Sequence, residues 1–165
     1  MAMRCKITHM PQEELFDQVY DTYKAHFPTM LHSSGGLPDA KGPGTSDVDI
    51  SLFHAEPESL ALYFPADTEV DRSSEGRIVY KLKGYPREVN IYCSNGLWWN
   101  RAALHRQTQL ALNAAYPALM EQAYAYKRDQ GISTEAAWAQ VLGLGDDYFE
   151  VLLDVDRTLA IATQV

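Results

Sequence analysis

Cysteine is scarce in this chain, which has only Cys5 and Cys93 in 165 residues. Two thiols without histidines paired at ligand spacing do not make a structural zinc site, and both read as buried apolar groups. The opening "MAMRCKITHM" lacks the apolar run of a secretory leader, so a reducing, cytoplasmic setting is expected. Long hydrophobic runs are missing as well. No stretch approaches the roughly 20 apolar residues that cross a bilayer, so no membrane partner is expected. Positive charge is also short. Lys and Arg number 14 against 22 Asp and Glu, for a net charge of -8. A nucleic-acid partner is not expected from such a balance, because neutralising phosphates takes a basic field.

What is present is the composition of an ordinary folded protein, 46% hydrophobic and 22% charged, with no repeat and no low-complexity tract. At this length one domain with a real core is expected. Its elements separate along the chain. Residues 1–95 read mainly as sheet-forming and 96–165 as helical, an α+β order with helices packed on one side of a small mixed sheet.

"RCKITH" reads as an opening strand. Pro11, followed by Glu13 and Glu14, starts a helix over 11–27 in which Leu15, Phe16, Val19, Tyr20, Tyr23 and Phe27 recur at helical spacing, and Pro28 stops it. "TMLHSSGG" reads as a short strand entering a glycine turn, and "LPDAKGPG" as a loop. From Asp47 to Phe53 the residues alternate strictly, and "RIVYKLK" (77–83) and "REVNIYC" (87–93) are two further strands joined by a hairpin turn at "LKGYP". Helices follow. The first runs from Asn100 to about Tyr116, the second from Pro117 to Gly131, and a third is capped by Ser133 or Thr134 and broken by Gly143 and Gly145. The tail from Asp146 reads as helix, with a strand at "VLLDV" as the alternative.

The tripeptide DVD occurs twice, at Asp47 and Asp49 and again at Asp154 and Asp156. Carboxylates two residues apart converge only on an extended chain, because strand side chains alternate faces. In a helix they diverge by about 200°. The first copy enters a strand whose alternation puts Asp47, Asp49, Ser51 and Phe53 on one face and Val48, Ile50 and Leu52 on the other. In 87–93, Val89, Ile91 and Cys93 face one way, and Glu88, Asn90 and Tyr92 the other.

The succession "HSSGG" then "GTSDVDI" resembles the pattern of the DNA-polymerase-beta-like nucleotidyltransferases, in which Gly-Ser closes one strand and Asp-x-Asp lies on the next. The wider chain resembles the GrpB-like branch of that superfamily. There the opening "CKITHMPQEELFDQVYDTYK" has its counterpart, as does the later "HRQTQLALNAAYPALMEQAYAYKRD", where Arg106, Pro117, Tyr124 and Lys127 match in kind and spacing. The similarity spans about residues 4–130. It implies Mg²⁺ held by Asp47 and Asp49, and a nucleoside triphosphate whose nucleotidyl group passes to a hydroxyl on a small molecule or protein. Ser33, Ser34, Gly35, Gly36 and Ser46 would then lie along the phosphates, with Arg106, Tyr124 and Lys127 on the helical side. A third carboxylate is expected near "EVNIY". Asn90 stands there instead, and Glu88 shares its face. A nucleotide-binding module without catalysis is the alternative that Asn90 favours.

"VLLDVDRTLA" resembles the first motif of haloacid-dehalogenase-like phosphatases, with Asp154 as nucleophile and Asp156 as acid/base. Only nine residues follow Asp156, and Arg157 replaces the usual glycine. Read as helix, the segment spreads the two acids over different faces and pairs Asp154 with Arg157. Among the remaining polar residues, His32, His54 and His105 are candidate ligands or bases. Lys41, Lys81, Lys83, Arg101 and Arg106 are candidate phosphate partners, with Lys81 and Lys83 on one strand face. Trp98 and Trp99 are candidate base-stacking groups or covers of the helix–sheet junction.

Overall fold

Period-two alternation decides the sheet. Val48, Ile50 and Leu52, then Ile78, Tyr80 and Leu82, then Val89, Ile91 and Cys93 are all buried in one core. The computed structural model describes residues 10–37 and 46–165. The expected opening strand "RCKITH", Cys5, Lys41 and nearly all of the "LPDAKGPG" loop lie outside the described residues. Two compact units divide the described chain, 10–34 with 46–100 and 35–37 with 101–165.

The first unit is built on five strands, β1 (Leu31–His32), β2 (Val48–Phe53), β3 (Glu69–Ser74), β4 (Arg77–Leu82) and β5 (Val89–Ser94), in the spatial order β1-β2-β5-β4-β3. β2 runs parallel to β5 and every other pair is antiparallel, so the sheet is mixed. The hairpin expected at "LKGYP" joins β4 to β5. Helix α1 (Gln12–Tyr23) packs Leu15, Val19 and Tyr23 onto the apolar face of the sheet, as does Leu60 of a 3₁₀ helix over Pro57–Tyr63. Tyr80 ties that 3₁₀ helix to β4 by donating its hydroxyl to the Pro57 carbonyl at 2.6 Å.

Two departures from the sequence expectation have plain causes. Helix α1 ends at Tyr23 rather than 27, because the amides of His26 and Phe27 both close on the Tyr23 carbonyl in a final turn before Pro28, whose ring disfavours helix in the residue ahead of it. Strand β3 has no alternation to announce it. Its sequence "EVDRSS" carries three charges, pairs only with β4, and shifts register between Asp71 and Ser74, as a charged, bulged edge strand does.

The second unit is helical: α2 (Arg101–Ala115), α3 (Pro117–Gln130), α4 (Thr134–Leu142), α5 (Tyr148–Val151) and α6 (Val155–Thr163). Its core gathers Leu112, Ala123, Trp138, Leu142, Leu152 and Ala162. Gly131 and Gly143 end α3 and α4 with φ of 64° and 67°, the left-handed caps that glycine adopts without strain. Ser133 caps α4 by accepting from the Ala136 amide at 3.1 Å. The tail expected as one helix is two. Asp154 separates them, its Oδ1 accepting from the Arg157 amide at 3.0 Å as the N-cap of α6. The pairing of Asp154 with Arg157 is thus made to backbone, and the segment ahead of Asp154 is the short helix α5, not the apolar strand that the phosphatase-like pattern needs.

Removing this cap gives a direct check, because asparagine caps about as well as aspartate and alanine does not. Asp154→Ala should cost about 0.5–2 kcal/mol while Asp154→Asn costs only a few tenths, measured by urea denaturation. Equal losses in both would show that charge rather than capping matters at this position.

Candidate functional site

The first DVD stands at the head of β2 because its backbone is held from several sides. The Val48 amide donates to the Glu88 carbonyl at 2.8 Å, the Ser33 amide to the Asp49 carbonyl at 2.8 Å, and Gln12 Nε2 to the Asp47 carbonyl at 2.8 Å. Arg87, buried, donates to the carbonyls of Met10 and Ser46 at 2.7 and 3.0 Å. Asp47 and Asp49 therefore point to the polar face of the sheet, away from the core formed by Val48, Ile50 and Leu52.

Parallel pairing brings the expected third position alongside. Asp49 lies opposite Asn90, and Asn90 lies opposite Lys81, which faces Glu69 in turn. One cross-strand row thus carries acid, amide, base and acid. The buried Asn90 donates Nδ2 to Asp47 Oδ2 and to Asp49 Oδ1, both at 3.3 Å. A carboxylate only accepts, so this contact fixes which end of the amide faces the pair. Asn90 Oδ1 is buried without a hydrogen-bond partner. An amide oxygen is a hard ligand suited to Mg²⁺ or Ca²⁺.

The electrostatics agree with the crowding. Burial, and after it the charge of Glu88 and a hydrogen bond to that side chain, holds the Asp47 carboxyl above the usual range, while Asn90 and Lys81 pull it back. Tyr92, on the same face one row along, has its hydroxyl pushed up by burial first and then by Asp49. The Arg77 guanidinium lies 5.4 Å from its ring centre. Tyr92 was legible on this face from alternation, yet nothing in the sequence marked it as part of an acidic patch. Lys83, the other half of the expected basic strip, lies just past the end of β4, 3.8 Å from Glu69.

Ser34 contributes differently from the expectation. Its Oγ accepts from the Asp49 amide at 2.8 Å, lies 3.3 Å from the Asp47 carbonyl, and meets His32 Nε2 at 2.9 Å. On the other side of the ring, His32 Nδ1 is 2.8 Å from Glu13 Oε2. These links join residues 13, 32, 34 and 49, a separation that no local pattern reveals.

Gly35, Gly36, Arg106, Tyr124 and Lys127 belong to the helical unit. There the glycine pair has a packing reason. A Cβ on Gly35 would stand 2.5 Å from Thr134 Oγ1, and one on Gly36 2.8 Å from Gln109 Cβ. The Gly36 amide donates to Gln109 Oε1 at 2.6 Å and its carbonyl accepts from Asn113 at 2.8 Å, so this amide is already engaged within the helical unit. Arg106 reaches the Gly35 carbonyl at 3.4 Å and Lys127 donates to Thr134 Oγ1 at 2.9 Å. Among the other candidates, Arg101 pairs with Glu150, His105 Nε2 donates to the Phe149 carbonyl at 2.8 Å, and His54 Nδ1 accepts from the Glu56 amide at 3.0 Å. Trp98 is exposed, and Trp99 tilts against Phe53 with 6.2 Å between ring centres. Cys93 is a buried thiol pushed up to about 12, inert as expected.

Among the described residues no group of three or more His, Cys, Asp and Glu side chains is placed to share an ion. No helix among them is long and apolar enough to cross a membrane. No protein-family model matches the sequence, and no curated protein matches it significantly.

The raised Asp47 makes a pH test. An acid whose folded pKa lies above its unfolded value binds more protons in the folded state, so its ionisation weakens the fold. The penalty is absent below the ordinary value of 3.8 and develops as pH rises from there through the raised folded value. Asp47→Asn should therefore be more stable than the parent protein at pH 7, and the gap should close below about pH 3.8, as read by urea denaturation. A deficit of equal size at both pH values would show that Asp47 stabilises the fold through its contacts rather than straining it.

Proposed function

We propose that the sheet unit binds a nucleoside triphosphate through Mg²⁺ held by Asp47 and Asp49, and passes its nucleotidyl group to a hydroxyl on a small molecule or protein. The observation that supports this most is the convergence of both carboxylates on one strand face, with the partnerless Asn90 oxygen beside them. Two carboxylates and an amide oxygen are hard ligands of the kind Mg²⁺ takes, and Mg²⁺ leaves further positions for water and phosphate. The bound ion would supply charge neutralisation at the phosphates during in-line attack. Asp47 and Asp49 would hold the ion, with the Glu88 carboxylate beside Asp47 adding to the negative charge there. Asn90 would join them as a ligand by presenting its oxygen to the ion. Lys81, next in the row, balances the charge of a phosphate. In the transfer, the acceptor oxygen bonds to the α-phosphorus, its proton leaves to a base, and pyrophosphate departs.

A second reading keeps the binding and drops the chemistry. It is favoured by Asn90 itself, which puts a neutral amide where an active site of this type would have a third acid.

Thermal stability with ATP, with and without Mg²⁺, tests the binding. A ligand at one hundred times its Kd stabilises the folded state by about 2.7 kcal/mol. That gain should appear only with Mg²⁺ and should vanish when Asp47 and Asp49 are both replaced by Asn, while the double Asn variant of Asp154 and Asp156 keeps it. Asn90→Asp should tighten Mg²⁺-ATP binding. Pyrophosphate release separates the two readings. Binding without release across a panel of hydroxyl acceptors would favour the module, and Mg²⁺-independent binding would end both.

A further inference from the structure

The sheet unit holds a hydrogen-bonded series that the proposed binding does not use. Glu13 on α1 accepts from His32 Nδ1 at 2.8 Å. That bond puts the proton of a neutral imidazole on Nδ1 and leaves Nε2 as an acceptor, so the Ser34 hydroxyl proton has two acceptors, Nε2 at 2.9 Å and the Asp47 carbonyl at 3.3 Å, of which the imidazole is the nearer. With its proton directed to these acceptors, Ser34 Oγ presents lone pairs to the Asp49 amide at 2.8 Å. The imidazole is fixed in plane by the Phe16 ring, stacked at 5.0 Å between centres and 6° between planes. The His32 side chain is only 6% exposed and Ser34 2%, so water does not readily replace the link between them, whereas the Glu13 carboxylate is 59% exposed.

Carboxylate, imidazole and hydroxyl in this order are the parts of a nucleophile relay. Here the hydroxyl faces inward. It is buried against the backbone of β2 and already accepts a backbone N–H, which leaves the series a different use. Beyond His32, β1 stops pairing with β2, and the Ser34 hydroxyl takes over as acceptor for the Asp49 amide where the ladder ends. The direction of the Asp47–Asp49 backbone thereby depends on where the Ser34 proton points.

We propose that Glu13 and His32 are positioning residues for the carboxylate pair, acting through the Ser34 hydroxyl on the Asp49 amide. Their effect on cation binding rests on the function proposed above. Their effect on the Asp49 amide does not. The relay also accounts for a serine at 34 without a phosphate contact.

The full chain with His32→Phe, His32→Gln, Ser34→Ala and Ser34→Thr tests this by two readouts. Amide hydrogen exchange at Asp49, followed by NMR, should speed up about tenfold or more relative to Val48 in His32→Phe and Ser34→Ala, with Ser34→Thr close to the parent. His32→Gln is the milder variant if His32→Phe does not fold, and should fall between. The second readout is Mg²⁺-ATP affinity, expected to weaken about tenfold in the same two variants and recover in Ser34→Thr. Unchanged Asp49 exchange in folded His32 variants overturns the proposal whether or not nucleotide binds. Faster exchange with unchanged Mg²⁺-ATP affinity overturns its extension to the carboxylates. If the parent chain binds no Mg²⁺-ATP, the function proposed above fails alone, and the exchange readout still decides the relay.

Discussion

Everything distinctive about the sheet unit follows from one constraint, that two carboxylates on the same strand face repel each other and must be compensated where they are partly buried. The parallel pairing of β2 with β5 supplies the compensation, because its register sets Asn90 opposite Asp49 and lets one amide nitrogen donate to both acids. A parallel pair needs a long crossover between its strands. The 3₁₀ helix and the β3–β4 hairpin supply it here, and the antiparallel step from β4 back to β5 then brings Lys81 into the same row. The topology and the electrostatics of the row are one arrangement.

What the sequence made legible was what depends on period two and on strong punctuation. The faces of β2 and β5 came directly from alternation, and with them the co-location of Asp47, Asp49, Glu88 and Asn90. Pro117, Gly131, Ser133 and Gly143 marked the helix ends correctly, since the proline and glycines act through their own backbone preferences and Ser133 through a hydroxyl that reaches an amide only three residues on. The failures were of another kind. Strand β3 is specified by its partner β4, not by its own residues. The split of the C-terminal helix hangs on Asp154 using its side chain as a cap, which the same aspartate in a helix interior would not do. The link from Glu13 through His32 and Ser34 to Asp49 joins three elements whose proximity exists only once the sheet has formed. His32 therefore looked like any lone histidine.

The glycine pair after Ser34 shows why a motif and its physical reason must be separated. A serine followed by glycines ahead of an acidic strand suggests backbone amides open to phosphate. In this chain both glycines are required by close approach to Thr134 and Gln109, and the Gly36 amide is spent on Gln109. Likewise Ser34 is spent on Asp49. The acids carry the likeness to a nucleotide site far better than the turn does, because their convergence has no comparable packing explanation.

Asn90 finally sets the electrostatics of the carboxylate pair. A third acid at this position would place three carboxylates in adjoining, partly buried places, and the row would then need a proton or a metal ion to close. The amide avoids that. Its nitrogen bridges the two acids, and its unsatisfied oxygen is the atom that would gain from the proposed cation. The chain thereby carries one negative charge fewer in this row and has its two acids bridged by a single side chain. Binding of the proposed ion would exchange an internal donor for an external charge, so affinity would be set by the turn of one side chain as much as by the two aspartates.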